Sequence, residues 1–295
     1  MPQKPIGNPL SWSAQSLAGI GRGVGAAVDG IGSHEMARPQ INRIGIADIR
    51  AALRAGAEDF AALRSDVITA VVLYPIIGFI LAVWAFNAGQ IHLLFPLAAG
   101  FPLVGPVAAI GLYEMSRRRE LGEPADWRAA LGTLRGRVLG PVIMLGLLLM
   151  AIFAVWIFAA HAIWAATLGP EPYTGLGAFL RATFTTGPGW AMIIIGTGVG
   201  FVLAAVVLCI SLVSFPMLID RPVGVPVALA TSIAVARRNP GTTALWGLVV
   251  AAALVLGTIP FFVGLIVVLP ILGHATWHLY RRAVSYPDRA ARPTS

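Results

Sequence analysis

His274-Ala275-Thr276-Trp277-His278 sets two imidazoles one helical turn apart. Both then lie on one helix face, a spacing that can hold a metal ion. The run reads HATWH rather than HExxH, so the glutamate a zinc protease needs is absent. A zinc site takes three or four ligands, and the candidate third donor is Glu114, which precedes Arg117-Arg118-Arg119. The alternative, a hydrogen-bonded pair among aromatics, is favoured because the ligand set is incomplete. His92 and His161 fall near the far ends of their apolar segments. Ser211 and Ser214 reach a depth similar to His274, yet neither sits in G-x-S-x-G, and buried helical hydroxyls usually bond back to their own chain. Cys209 has no second cysteine to pair with. No complete catalytic set emerges, and no cofactor follows from these residues.

Two backbone patterns complete the candidates. Phe95 to Pro106 holds three prolines and two glycines, which frees backbone groups that lipid cannot satisfy. A broken helix of this kind forms the solute site of many transporters, here Pro96, Gly100, Pro102, Gly105 and Pro106. The competing reading is a kinked structural helix, favoured by the absence of any carboxylate, Lys or Arg at the same depth. Gly196, Gly200 and Ala204 recur every four residues, a small-residue stripe suited to helix packing in a membrane.

The elements that must carry these residues follow from where charge is missing. Only 12% of the 295 residues are charged and 57% are apolar, where a soluble chain carries about a quarter as charges. Residues 67–113, 138–170, 182–219 and 239–280 contain no Asp, Glu, Lys or Arg. A membrane-crossing helix takes about 20 apolar residues. The stretches therefore predict six spans, at about 67–86, 91–115, 138–168, 191–219, 241–257 and 259–280. The last pair is divided at Gly257-Thr258-Ile259-Pro260, because one helix across it would be roughly twice the hydrocarbon thickness.

Twenty of the 21 basic residues then fall on one side, Arg181 being the exception. Both termini are expected in the cytoplasm, below a bacterial inner membrane. Trp84, Trp164 and Trp190 are expected at the outer interface, with Trp127, Trp246, Trp277 and Tyr280 at the inner one. The fold class is all-α and polytopic, three hairpins with short amphipathic cytoplasmic helices at Ile44–Arg64, Asp126–Arg137 and Pro226–Arg238. These are expected to lie in the membrane interface. Residues 1–40 read as a disordered arm, 41–285 as the membrane domain and 286–295 as a tail.

Phe95 to Glu123, with GFPLVGP and GLYEMSRRRELGEP, and Leu269 to Val284, LPILGHATWHLYRRAV, resemble a bacterial family of integral membrane proteins catalogued as a domain of unknown function. The resemblance runs from about 40 to 285. It implies a multi-span inner-membrane protein and brings no catalytic residues. Some members are labelled cytochrome c oxidase subunit I-like, but the four near-membrane histidines here divide between opposite interfaces and offer no mid-membrane pair for haem.

The leading expectation is a non-enzymatic accessory, assembly or scaffolding component of membrane complexes. A permeation path for a neutral or lipid-like solute, and a metal or haem site, are the alternatives. Expected partners are membrane lipids, with anionic headgroups at the basic face, and a membrane protein. The net charge of +8 does not call for nucleic acid once its location is known.

Overall fold

A computed structural model describes residues 39–71, 76, 78–80, 83–84, 90–100, 105–126, 132, 138–169, 175–260 and 263–286. The expected arm at 1–38, most of the 127–137 segment with Trp127, the tail beyond 286, and Pro102 lie outside the described residues. The described elements run β1 (Gln40–Ile41), α1 (Ile46–Val71), a 3-10 turn (Ile91–Leu93), α2 (Leu94–Gly100), α3 (Gly105–Ala108), α4 (Ile110–Glu120) and α5 (Leu139–Thr167). They continue with α6 (Leu176–Thr185), α7 (Gly187–Ser211), α8 (Ser214–Asp220), α9 (Val225–Arg238), α10 (Pro240–Thr258), α11 (Leu265–Ala283) and β2 (Val284–Ser285).

Among the described residues, three helical stretches are long and apolar enough to cross a membrane: Leu139–Thr167, Gly187–Asp220 and Pro240–Thr258. Their length follows from uninterrupted apolar sequence, and their ends from local chemistry. Thr186 caps α7 by accepting the Gly189 N–H at 3.1 Å, with proline in the first turn. At Leu212-Val213 the helix breaks, and Ser232 from α9 repairs the break. Its hydroxyl donates to the Cys209 carbonyl at 2.8 Å and accepts the Val213 N–H at 3.3 Å, so neither group is left bare. The chain turns between α10 and α11 around Pro260, where Gly264 rests directly on the Gly257 backbone. Helix α4 stops after its arginines because Gly122 takes the left-handed conformation, φ +71, while the Gly122 and Glu123 N–H groups close on the Arg119 and Arg118 carbonyls.

The core lies towards the basic end and takes in Val142, Leu145, Leu149, Val207 and Trp246 from the apolar helices. Ala52, Tyr113, Val213, Phe215, Met217, Trp277, Tyr280 and Ala283 are fully enclosed there. Along the long helices, by contrast, Leu147, Phe158, Ile194 and Phe201 stand open, as lipid-facing residues must. Helix α1 runs against α11, and α9 packs on α7 and α8.

Two sequence expectations need correction here. The segments at Ile44–Arg64 and Pro226–Arg238 do not lie flat with their apolar faces outward. Ile49, Ala52, Ala228 and Val235 are buried in the core, because an apolar stripe seats equally well on a helix as on acyl chains. Trp246, Trp277 and Tyr280 are likewise buried rather than interfacial. Trp84 and Trp190, expected at the other interface, are exposed.

Both ends of the described chain are stitched to this core. Gln40 pairs with Ser285 and Ile41 with Val284 in an antiparallel bridge. Asn239, between α9 and α10, accepts the Ile44 N–H at 2.9 Å and donates to the Asn42 carbonyl at 3.0 Å.

Candidate functional site

A buried polar node sits where α1, α4 and α11 meet. Two glycines allow the approach. A Cβ on Gly56 would stand 2.6 Å from the Ala275 nitrogen and 2.7 Å from the Ile271 oxygen, and one on Gly273 would stand 2.5 Å from Leu112. The close contacts bring Asp59, Ser116, His274 and His278 together from positions 57 to 219 residues apart.

Asp59 is the centre. Its Oδ2 accepts from the Ser116 hydroxyl at 2.6 Å and from His278 Nε2 at 2.8 Å. Its Oδ1 accepts from Arg119 Nη1. His274 Nδ1 lies 2.7 Å from Ser116 Oγ. With the serine proton committed to Asp59, His274 must donate from Nδ1 to the serine oxygen, which sets its tautomer. Burial pushes the Asp59 carboxyl upward, but the hydrogen bonds from His278 and Ser116 and the charges nearby outweigh it, leaving the pKa below the ordinary 3.8. Asp59 is therefore held ionised with its donors converged on it.

The arrangement has serine, histidine and aspartate in contact, yet it is not a hydrolytic triad. In a triad the imidazole stands between the other two and takes the serine proton. Here the serine stands between, its proton points to the carboxylate, and it is 1% exposed. The geometry suits a lock joining three helices. A depressed carboxylate pKa contributes stability in full above the unfolded value, and that contribution is lost as pH falls through the folded value. The melting temperatures of the parent and Asp59→Asn are therefore expected to differ at about pH 5 and to converge as the pH falls below about 4. Thermal denaturation across that range in one detergent checks this.

The other charges of the basic end pair around the node. Glu114 is fully buried and accepts from Arg117 Nε at 2.7 Å, Arg117 Nη2 at 2.9 Å and Arg118 Nε at 2.7 Å. These bonds hold the Arg117 pKa above its usual value. Glu120 accepts from the Trp277 indole at 3.1 Å and from Arg281, and Asp220 accepts from the Tyr280 hydroxyl at 2.9 Å.

Of the residues singled out by sequence, His274 and His278 share this node, His274 against Ser116 and His278 against Asp59. Glu114, the candidate third ligand, is engaged by arginines instead. Among the described residues no group of three or more His, Cys, Asp or Glu is arranged to hold a metal. Ser211 and Ser214 donate to the Val207 and Ile210 carbonyls, each at 2.6 Å.

The broken stretch is closed where it is described. Trp156 Nε1–H donates to the Pro96 carbonyl at 2.7 Å, and the same indole covers Gly100, where a Cβ would stand 2.5 Å away. Gly105 and Pro106 are half-buried. Among the described residues the small-residue stripe is not a continuous packing seam. Gly200 faces Trp156, but Gly196 meets open space and Ala204 is exposed.

Sequence reasoning passed over Asp59, Ser116 and Arg119. Asp59 left a signal, since it falls on the apolar face of its helix with Ile49, Ala52, Gly56 and Leu63. Ser116 and Arg119 left none.

Residues 94–220 match the model of a family described as predicted integral membrane protein (DUF2189). That match contains the Phe95–Glu123 signature and stops short of Leu269–Val284, so the resemblance is shown for 94–220 rather than for 40–285. No curated protein and no solved structure matches the chain.

Proposed function

We propose that this chain, whose residues 94–220 match the model of that family, is a non-enzymatic accessory, assembly or scaffolding component of a membrane complex. In this reading it crosses a bacterial inner membrane six times as three hairpins, with its basic end and both termini in the cytoplasm. The arginine distribution supports that orientation. Arg50, Arg237 and Arg238 are exposed and outside the ion pairs described above, which suits contact with anionic headgroups.

One observation carries the proposal. The most apolar window of Gly187–Asp220 is only 6% buried within the chain, against 28% for Leu139–Thr167. Its exposed part carries Gly196 and Ala204, and small residues let a second helix approach closely where lipid offers no hydrophobic drive. Meanwhile the described residues of the basic end form a polar-locked core, a property that suits a platform. The Trp156 seal over Pro96 and Gly100 gives no support to a solute path there.

Full-length tagged protein purified in mild detergent is expected to carry a stoichiometric membrane protein, identified by mass spectrometry. Gly196→Ile should lower that yield severalfold without lowering the melting temperature, because the position has free space. Purification with lipid alone would overturn the proposal.

A further inference from the structure

The geometry points to a second site, at the end of the bundle away from Arg117, Arg118 and Arg119. We propose that His92 and His161 form a solvent-accessible chelating pair for a borderline divalent transition metal of the zinc or copper(II) class. His161 lies 22 residues into α5, roughly 33 Å along the helix from Leu139, so this pair is independent of the Asp59 node.

His92 Nε2 and His161 Nδ1 face each other at 3.0 Å. A metal bound 2.0–2.1 Å from each of two imidazole nitrogens at a tetrahedral angle holds them about 3.3–3.4 Å apart. The nitrogen separation is thus about 0.4 Å short of the chelating distance, and each ring must also turn so that its lone pair leaves the hydrogen-bond axis and faces the ion. No charge needs to be removed. The proton now shared between the rings moves to the far nitrogen of its own ring by tautomer exchange, and both imidazoles bind neutral, the form that ligates metal.

The rings are also held in place. His92 is buried on the turn at Ile91–Leu93 and stacks on Trp164 with ring centres 3.7 Å apart and planes 8° from parallel. His161 is exposed and lies six residues before the end of α5 at Thr167, close enough to the expected outer interface for water to fill the remaining positions. Two protein ligands fall short of the three or four of a resident zinc centre, so an ion held here exchanges with the surroundings instead of staying as a permanent structural ion.

The stacked indole provides the test. Cu2+ bound beside His92 should quench Trp164, one of eight tryptophans. The protein, without a polyhistidine tag and in detergent, is titrated with Cu2+ while its emission is followed, then with Zn2+ as competitor. We expect a saturable loss of about an eighth of the emission at one equivalent, reversed by excess Zn2+. His161→Ala, on the exposed ring, and Trp164→Phe, which keeps the stack, should each remove it. His34→Ala and His278→Asn should leave it intact. No saturable quenching, or quenching that survives His161→Ala, would overturn the site and show the pair to be a hydrogen bond only.

Discussion

Replacing Asp59 with leucine is expected to lower the melting temperature of the solubilised protein more than replacing Ser116, His274 or His278, the other side chains of the node. The carboxylate accepts from three groups, and the two on Oδ2 are buried or nearly so. Removing one partner of a buried charged network typically costs 3–5 kcal/mol, because the donors left behind have lost water as well as their acceptor. Arg119 is partly exposed and can turn to solvent, so the lower part of that range, about 3 kcal/mol, is the expected loss. Asp59→Asn keeps an oxygen acceptor and should cost less. Ser116→Ala removes one donor and leaves the salt bridge, and about 1–2 kcal/mol is expected. The ordering Leu, then Asn, then Ser116→Ala, read from thermal denaturation in one detergent, is the check. A leucine variant that melts with the parent would mean the node is not a lock.

That this node escaped sequence reasoning has a physical cause. Charge-free runs announce themselves because lipid penalises every ion, so the apolar helices at Leu139–Thr167, Gly187–Asp220 and Pro240–Thr258 were legible from composition. An amphipathic pattern says only that one face is covered. It cannot say whether lipid or protein covers it, and Ile44–Arg64 was assigned to the wrong one. Once α11 is known to be the cover, Asp59 on the apolar stripe demands a polar partner. Ser116, Arg119 and the histidines then follow from three-dimensional proximity across separations as long as 219 residues, which no spacing in the sequence encodes. The same logic explains Trp277 and Tyr280. Their positions fitted an aromatic belt, but Glu120 and Asp220 bind their polar atoms inside the protein. Glu114 beside its arginines was readable because helical neighbours three and four apart must meet.

The geometry of the node depends on a residue with no side chain at all, and Gly56→Val should therefore do more damage than any change within the node itself. In an exposed helix glycine is the weaker choice, worse than alanine by about 1 kcal/mol, so an added side chain would ordinarily help. At Gly56 the nearest atoms to a new Cβ are the backbone nitrogen of Ala275 and the backbone oxygen of Ile271, at 2.6 and 2.7 Å. Backbone cannot rotate away as a side chain can, so α1 and α11 must separate by a large fraction of an ångström along their seam. Overpacking of this kind costs about 1–3 kcal/mol by itself. Here the same displacement also stretches the bonds to Asp59, one turn further along, so the two losses compound and more than 3 kcal/mol is expected. Gly56→Ala should be milder but still destabilising, whereas Gly45→Ala, on the same stretch of chain with nothing within 4 Å, should be close to neutral. A double variant separates seam from node. If Gly56→Val acts by pulling Asp59 off its donors, then adding Asp59→Asn to it should cost much less than Asp59→Asn costs alone. Simple additivity of the two would show that the seam and the lock are independent.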